Sequence, residues 1–535
     1  MTKTLSRNMR STLFRSAAAG TIAAMAMVTP AQAIVPNDNF TPADISDPDD
    51  VVNGVGQFFR NDGFVCTGTL INPRTVLFAA HCVNSNPESD FDTNGTLQSA
   101  FSFNSNALPG FIDWINNGFA SNPDLFVYNV SRISYHPDSL VDPNAQGFLE
   151  ADIAVATLSD PAQNIPTWAL LFSPLPDPGQ ITDQDGTGYH VNITGYGRTG
   201  SGTTGASQGI DWRRKSAENM LGALTNFNDR NTFLFGQPFG DLPQVLYRLD
   251  FDDPNKTNPF DFNLYKDEPR VREGTTAGGD SGGPLILDAA NNTLSDENLQ
   301  IGVLSGGSRF FGPQVFSSYG TESFYQPLFL FAEYIASENP YRYVTTNGGD
   351  GNWEDASHWV TQLDPAYRII DASGAVVNGF PDAQSGGVDQ STPQFGEVCF
   401  DPEGTNPGDG CQDLGTGNPT PPAREAIAGG NFVSGIGQVD PETLVSVSAP
   451  NTNAEEPVVQ AAVSADEPVV EVAANAGAET AEEASQPAVA DSGDAPVAVA
   501  SAAAPGARSG MIMGAENQSH DNGGMIAGGE QAPQN

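Results

Sequence analysis

A single serine stands among four glycines in residues 275–285, TTAGGDSGGPL. A serine hydroxyl is a weak nucleophile until a base removes its proton and hydrogen-bond donors stabilise the oxyanion that its attack creates. The glycines around Ser281 let backbone N–H groups, here those of Gly279 and Ser281, approach such an oxyanion without a Cβ in the way. The same residue types also form ordinary turns, so the stretch alone leaves a plain turn open. A histidine and an aspartate upstream would favour a catalytic serine.

Both residues occur upstream, in the order His, Asp, Ser. Two apolar runs, 65–71 and 76–82, are separated by turn-forming residues and predict two strands, the second of which ends around His81. Asp152 begins the apolar run 152–158, where a buried carboxylate needs a partner such as an imidazolium. The chain order differs from the orders of subtilisin and of the α/β-hydrolases.

Three short blocks of sequence resemble the signatures of the trypsin/chymotrypsin family of serine peptidases. They are AAHC at 79–82, DIA at 152–154 and GDSGGP at 279–284. The resemblance extends from Val51 to Ser337, a little over half of the chain. It implies an all-β fold of two antiparallel six-stranded β-barrels, chymotrypsin-like, with the active site between them.

The resemblance also implies the roles of individual residues. His81, Asp152 and Ser281 would be catalytic, with His81 as the base and Asp152 orienting its ring. The backbone N–H groups of Gly279 and Ser281 would form the oxyanion hole.

The resemblance further indicates the substrate-binding residues. Thr275 stands where trypsin-like members carry an aspartate at the floor of the pocket, and Ser305 and Gly307 stand where the family binds substrate backbone and leaves the pocket entrance open. Without a carboxylate at position 275, an Arg or Lys side chain has no ionic partner there. We therefore expect a non-tryptic pocket that takes a small or apolar side chain before the scissile bond.

The four cysteines form two pairs that are close in sequence, Cys66 with Cys82 and Cys399 with Cys411. Even pairing favours disulfides in an oxidising compartment over a dispersed metal site. The first pair matches the bridge that the family carries beside its catalytic histidine. We expect disulfides at both pairs, and neither a cofactor nor a metal.

The N-terminus has the pattern of an export signal. Basic residues precede a small and apolar run over 16–28, which ends at TPAQA, residues 29–33. This pattern predicts a signal peptide over 1–33 with an Ala-x-Ala cleavage site, and the run is shorter than the ~20 residues that span a bilayer. We expect a secreted protein, extracellular or periplasmic, without a transmembrane segment.

Cleavage after Ala33 would leave Ile34 as the new N-terminus. In the family, an Ile-Val terminus inserts its ammonium beside the aspartate that precedes the nucleophile, here Asp280. The resemblance thus predicts a salt bridge between Ile34 and Asp280, with signal peptidase in place of zymogen activation. A disordered leader over residues 34–50 is the alternative, and VVNG at 51–54 is a second family-like terminus.

Short runs of β-branched and aromatic residues with turns between them predict the strands of the two barrels. The predicted runs are 57–59, 64–71, 75–80, 126–135 and 152–158 for the first barrel, and 191–196, 245–251, 284–287, 300–304 and 314–318 for the second. A closing C-terminal helix is expected over residues 326–336.

Residues 84–123 form an insertion that a compact family member does not need. The insertion contains DFDTNG at 90–95, which fits the first half of a calcium loop. Phe101 stands where a bidentate Glu would be required. A solvated Asn/Asp-rich loop is therefore the competing interpretation of Asp90–Asn94.

Composition divides the chain after the signal peptide into three parts. We expect a protease domain over 34–343, a small Gly/Asn/Trp-containing β-rich region over 344–435 and a disordered tail over 436–535. The tail consists mainly of Ala, Val, Glu and Pro, which bury too little apolar surface to offset chain entropy.

The net charge of the chain limits its partners. A formal charge of −43 and a pI near 4.1 argue against nucleic acid and anionic membranes. The sequence predicts a secreted serine endopeptidase that cleaves protein or peptide substrates through an acyl-enzyme, and does not indicate its oligomeric state. The alternative is a catalytically idle binding or adhesion module. The presence of all three catalytic residues favours the enzyme.

Overall fold

The computed structural model describes residues 33–47, 52–140, 150–235, 241–261, 263–310, 313–382, 394–399 and 412–413. All of them lie in one compact unit within residues 1–475. Residues 1–32 of the predicted signal peptide and the whole predicted tail fall outside the described residues. Within the described part of the chain, no helix is long and apolar enough to cross a membrane.

The first barrel is closed and has six strands, as the sequence predicts. The described chain begins with β1 (Val35–Pro36), and the barrel strands follow as β2 (Val55–Arg60), β3 (Val65–Asn72), β4 (Thr75–Phe78), β5 (Ser99–Ser102), β6 (Val127–Tyr135) and β7 (Ala154–Leu158). The barrel closes in the order β2-β3-β4-β7-β6-β5. The rings of Phe58, Phe78 and Phe101 pack in its interior with centroids 5.1–5.6 Å apart. Strand β5 lies within the predicted insertion, so that segment contributes to the barrel core.

The second half of the domain is an open sheet, which corrects the expectation of a second closed six-stranded barrel. Its strands and the hairpins beside it are β8 (Ala169–Leu171), β9 (His190–Gly195), β10 (Arg198–Ser201), β11 (Gly205–Ile210), β12 (Lys215–Met220), β13 (Ala223–Asn226), β14 (Val245–Leu249), β15 (Gly274–Thr275), β16 (Pro284–Leu287), β17 (Leu299–Ser308) and β18 (Glu322–Pro327). The main path runs β12-β9-β16-β17-β18-β14-β13, and β8 joins β17 in parallel. Further strands extend this path, so it does not close on itself.

Three short α-helices and several 3-10 turns complete the described chain. The α-helices are α1 (Leu108–Asn116), α2 (Phe227–Phe235) and α3 (Ala332–Glu338), and the 3-10 turns are Ala80–Cys82, Glu88–Phe91, Pro123–Leu125, Pro137–Leu140, Leu328–Leu330 and Ala356–His358. The closing helix expected over 326–336 therefore begins six residues later, because β18 continues through Pro327. The strand predicted over 314–318 is wrong, since those residues form turns.

The described residues from 343 onward form a separate two-stranded hairpin and four strands that extend the second sheet. They are β19 (Tyr343–Thr346), β20 (Trp359–Gln362), β21 (Tyr367–Ile370), β22 (Val376–Asn378), β23 (Phe395–Val398) and β24 (Gln412–Asp413). Strand β21 pairs in parallel with β8, and β23 pairs with β13. Part of the β-structure expected beyond residue 343 thus hydrogen-bonds directly to the second sheet.

One buried arginine connects the barrel to the open sheet. The Arg214 guanidinium is fully buried and pairs with Asp47 at 2.9 Å. It also donates to the carbonyl oxygens of Val55 and Phe103 and to the hydroxyl of Tyr196. A buried charge with a carboxylate partner and three further acceptors holds the two halves in one relative position.

Candidate active site

His81 lies at the end of the second strand that the sequence predicts. Strand β4 is followed by the 3-10 turn Ala80–Cys82, which carries the imidazole next to Asp152. The Nδ1 atom of His81 is 2.8 Å from Oδ2 of Asp152, and the His81 backbone N–H donates to Oδ1 at 2.7 Å. The Asp152 side chain is fully buried and that of His81 is 17% exposed. The buried carboxylate therefore has a partner at each oxygen.

Asp152 follows a bend that is held from the second half of the domain. Ala151 has a φ of 50°, in the left-handed region, and its N–H donates to Oε1 of Gln244 at 2.7 Å. The Gln244 amide donates to Gln326, whose Nε2 donates to the Ser305 hydroxyl at 2.9 Å. A series of buried amides thus connects the bend before Asp152 to β17 and β18.

Ser281 lies in the loop between β15 and β16, and this loop packs against the first barrel. The backbone N–H of Thr67, in β3, donates to the Ser281 carbonyl at 2.8 Å, and the Thr67 hydroxyl donates to the Gly279 carbonyl at 3.0 Å. Gly279 has a φ of 99°, which side-chain-bearing residues rarely adopt. The glycine pattern in the sequence therefore reflects a backbone requirement of this loop.

Gly282 brings the same loop next to the histidine segment. Its φ is 85°, and a Cβ built on it would lie 2.3 Å from the Thr67 carbonyl oxygen and 2.9 Å from the Ala79 nitrogen. The Cys82 sulfur lies 3.9 Å from the Ser281 carbonyl oxygen. Because Ala79 and Cys82 flank His81, Ser281 and His81 lie at one junction between barrel and sheet.

The loop that carries Ser281 also presents two backbone N–H donors. The N–H groups of Asp280, Gly282 and Gly283 donate to carbonyl oxygens, whereas those of Gly279 and Ser281 donate to no acceptor within the described ranges. Two such donors beside a half-buried serine are the arrangement that stabilises an oxyanion.

Residues 53–216 match the family described as Trypsin. The chain carries a trypsin-family domain. The matched residues include His81 and Asp152 and end before Ser281. The family supports serine protease activity in general, and with it protein substrates. A comparison with curated proteins found no match.

Asp280, which lies beyond the matched residues, is completely buried. Its Oδ1 accepts from the Gly197 N–H at 2.7 Å, its Oδ2 accepts from the Ala277 N–H at 2.9 Å, and the backbone N–H of Ile34 donates to the same carboxylate. Burial raises the pKa of Asp280 to about 7, although these backbone hydrogen bonds and Lys215 lower it. Ile34 and Asp280, the predicted partners, are thus in contact in the intact chain.

The segment around Ile34 packs beside the strand that precedes the Ser281 loop. Strand β1 pairs with β15, with Val35 opposite Thr275. Ile34 is fully buried with a φ of 49°, and the Thr199 hydroxyl donates to its carbonyl oxygen. Residues 33–47 therefore pack on the strand that leads to Ser281, which differs from the disordered leader considered as the alternative.

Hydroxyl groups meet at the predicted pocket of the trypsin-family domain. The Ser323 Oγ lies 3.1 Å from the Thr275 hydroxyl and 2.8 Å from the Thr276 hydroxyl. Gly307 is the strand partner of Ser323 across β17 and β18, and Ser305 lies two residues earlier in β17. The structure thus brings Thr275 and Gly307 together through Ser323.

The predicted bridge between Cys66 and Cys82 is present and ties β3 to the turn that carries His81. Cys399 is also disulfide-bonded. Strands β23 and β24 pair Val398 with Gln412, and the predicted partner Cys411 lies outside the described residues.

The loop with the calcium-like pattern forms a turn on the surface. Oδ1 of Asp92 accepts from the Asn94 N–H at 2.8 Å, and its carbonyl oxygen accepts from the Gly95 N–H. Two groups of possible metal ligands occur among the described residues, and neither includes Asp90 or Asp92. The solvated-loop interpretation accounts for these contacts.

Some residues of the site region have no signal in the sequence. Ser323 and Thr276 are 47 positions apart in the sequence and meet only in the folded chain. Lys215 is fully buried and pairs with both oxygens of Asp211 at 2.9–3.0 Å. Lys215 also lowers the pKa of Asp280. This placement beside Asp280 depends on tertiary packing, and no local sequence motif indicates it.

Proposed function

We propose that this chain is an exported serine endopeptidase with His81, Asp152 and Ser281 as its catalytic residues. The observation that carries the proposal is the two-point contact between His81 and the buried Asp152 carboxylate, at the junction where the Ser281 loop packs. A carboxylate fixed on Nδ1 of an imidazole leaves Nε2 as the basic nitrogen, which is what a serine nucleophile requires.

In this mechanism Ser281 attacks the carbonyl carbon of a peptide bond while His81 accepts the hydroxyl proton. His81 then donates the proton to the leaving amine, which leaves an acyl group on Ser281. Water, activated by the same histidine, hydrolyses the acyl-enzyme. Asp152 stabilises the imidazolium, and the N–H groups of Gly279 and Ser281 stabilise each oxyanion, an effect of ~3–4 kcal/mol per donor.

We further propose that the mature chain begins at Ile34 after removal of the signal peptide. The contact of the Ile34 nitrogen with Asp280 in the uncut chain supports this, because cleavage would turn that amide into an ammonium beside a buried carboxylate. The same signal peptide would direct the chain to an extracellular or periplasmic space. Disulfides persist in such an oxidising space.

For specificity we propose a neutral pocket that takes a small or apolar side chain. The hydroxyls of Thr275, Thr276 and Ser323 provide no negative charge for Arg or Lys, and the Ser323 side chain occupies space that a longer substrate side chain would need.

Labelling with a fluorophosphonate probe tests the proposal. The probe forms a covalent bond with an activated serine, so we expect the mature chain to be labelled at Ser281 and Ser281→Ala to be unlabelled. Ser337→Ala is the matched control, because its exposed hydroxyl only donates to the Tyr334 carbonyl. If the mature chain stays unlabelled and cleaves no peptide in a library, the idle binding module becomes the better account.

A further inference from the structure

Several carboxylates are buried together in the connection between β14 and β15. We call Asp250, Asp252, Asp261, Asp267 and Glu273 the acidic cluster. Asp250, Asp252, Asp267 and Glu273 are each at most 5% exposed. Asp250, Asp252 and Asp267 each contribute an oxygen, and these three atoms lie within 4.8 Å of one another.

Backbone N–H groups bind the outer oxygens of the acidic cluster. Tyr265 donates to Oδ2 of Asp250 at 2.9 Å, and Asp252 and Arg270 donate to the two oxygens of Glu273 at 2.8 and 2.6 Å. Hydrogen bonds of this kind favour the ionised form of a carboxyl group. These hydrogen bonds offset only part of the cost of burial, which raises the pKa of Asp250 to about 7 and that of Glu273 well above its usual value.

Other carboxylate oxygens of the acidic cluster have different surroundings. Oδ1 of Asp267 is buried and has no hydrogen-bond partner within the described residues. The Asp252 carboxyl group lies close to those of Asp250 and Asp267, so carboxyl groups face one another. Burying an unpartnered polar oxygen destabilises a fold, and buried like charges add to the penalty.

The nearby basic side chain does not neutralise the cluster. Arg270 attracts Asp267 electrostatically, but its guanidinium donates to the carbonyl oxygens of Glu268 and Gln184. The inward-facing oxygens thus lack a bound cationic side chain among the described residues.

We propose that Asp250, Asp252 and Asp267 bind a calcium ion. All the candidate ligand atoms are carboxylate oxygens, which are ligands of hard cations, and no thiol or imidazole is present to select zinc. A buried group of several carboxylates suits Ca²⁺, which takes six to eight oxygen ligands, better than Mg²⁺, which retains much of its water. This inference depends on the acidic cluster alone and is independent of the proposed function.

The bound ion stabilises the wall of the proposed pocket and the N-terminal segment. Glu273 directly precedes β15, and its carbonyl oxygen accepts from the Asn37 N–H at 3.0 Å. The Asn219 side chain donates to the carbonyl oxygens of both Asp250 and Gly274, at 2.9 and 3.0 Å. Fixing Asp250 and its neighbours therefore fixes β15 and the strand β1 that pairs with it.

The test measures calcium binding and thermal unfolding of the exported chain with Ser281→Ala, which excludes self-cleavage. After treatment with EDTA, calorimetric titration with CaCl₂ should show one site. The melting temperature in ~1 mM Ca²⁺ should exceed that in EDTA by about 5 °C, since a ligand that binds only the folded state stabilises it. Equal melting temperatures and no heat of binding would refute the site, and an equal response to MgCl₂ would refute the choice of calcium.

Two variants locate the site. Asp267→Asn keeps the shape of the side chain and removes a charge, so calcium affinity should fall at least tenfold, while the melting temperature in EDTA should stay level or rise because repulsion is relieved. Asp92→Asn, in the surface loop with the calcium-like pattern, is the control and should retain the full response. If Asp267→Asn keeps that response, or if Asp92→Asn loses it, the assignment is wrong. If Asp267→Asn does not fold, Asp252→Asn replaces it and is judged by the same criteria.

Discussion

The backbone N–H of Ile34 donates to the carboxylate of Asp280, the residue directly before Ser281. The loop that carries the proposed nucleophile thus contacts the position where the predicted signal peptide would be cut. Two further hydrogen bonds to the carboxylate, from Gly197 and Ala277, hold it in place. We therefore expect the chemical state of the N-terminus to act on the geometry of the loop that carries Ser281.

The first prediction concerns a chain with two extra residues, Gly-Ser, before Ile34. An amide nitrogen at Ile34 provides no charge for the buried Asp280, and an unpaired buried charge costs ~3–5 kcal/mol. We expect kcat/KM on a peptide substrate to fall at least tenfold relative to the chain that begins at Ile34. Asp280→Asn should reduce the kcat/KM of both chains to the same low value. Full activity in the extended chain would show that the terminus has no such role.

The second prediction is the pH dependence of stability in the extended chain. Burial holds the pKa of Asp280 at about 7, above its usual 3.8, so between these values the folded chain binds a proton that the unfolded chain has released. The free energy of unfolding should therefore decrease as pH rises through this range, by at most about 1.4 kcal/mol per pH unit.

Urea denaturation at a series of pH values in the Ser281→Ala background measures this slope. Asp280→Asn in the extended chain is the control, and the slope attributed to Asp280 is the difference between the two. The chain that begins at Ile34 should show a smaller difference, because its ammonium favours the ionised carboxylate. Equal slopes with and without Asp280 would contradict the assignment.

The third prediction compares two glycines with positive φ. Gly282 and Gly63 have φ values of 85° and 98°, but a Cβ at Gly282 would lie 2.3 Å from the Thr67 carbonyl oxygen whereas one at Gly63 would meet nothing within 4 Å. Either substitution by Ala should destabilise the fold, by about 1 kcal/mol at Gly63. Only Gly282→Ala should also lower kcat, by about 100-fold, because the added Cβ displaces Ser281. Equal kcat values in the two folded variants would rule out this role for Gly282.

The fourth prediction concerns the depth of the proposed pocket. Ser323→Gly removes the hydroxyl that contacts both Thr275 and Thr276. Profiling on a peptide library should show a preference shifted towards larger apolar side chains, with about a tenfold change in the ratio of kcat/KM for Phe over Ala before the scissile bond. Ser337→Ala should leave the profile unchanged. If Ser323→Gly also leaves it unchanged, Ser323 does not limit the pocket.

Local sequence patterns predict the first barrel well because its strands are apolar and lie close together along the chain. The runs around Val65–Asn72 and Thr75–Phe78 appear in the structure within a residue or two of their expected bounds. The sequence does not predict strand Ser99–Ser102, because polar residues occupy half of it. It is recognisable as a strand only once its neighbours bury it.

The second sheet was harder to predict because charged residues form part of its interior. Strand Glu322–Pro327 contains Glu322, which is fully buried between Arg230 and Arg248 at 3.1 and 2.8 Å. In the sequence alone, a charged residue within a short run indicates a turn, because its distant partners are not apparent. For this reason the sequence pattern predicts the last strand at 314–318 instead of 322–327.

The same contrast between local motifs and tertiary contacts applies to the candidate sites. His81, Asp152 and Ser281 lie in short motifs that can be recognised locally, and the structure brings their segments to one junction. The acidic cluster has no such motif, since Asp250 and Asp267 are separated by a loop and meet only after folding. The sequence therefore indicated the proposed catalytic residues but not the proposed calcium site.

The pairing of β21 with β8 and of β23 with β13 affects where the chain can be cut. A fragment that ends at Tyr343 would leave the backbone N–H and C=O groups along β8 and β13 without their neighbours. Such open edges recruit strands from other molecules, so this fragment would tend to self-associate. A fragment designed to avoid this self-association would therefore extend at least to Val398.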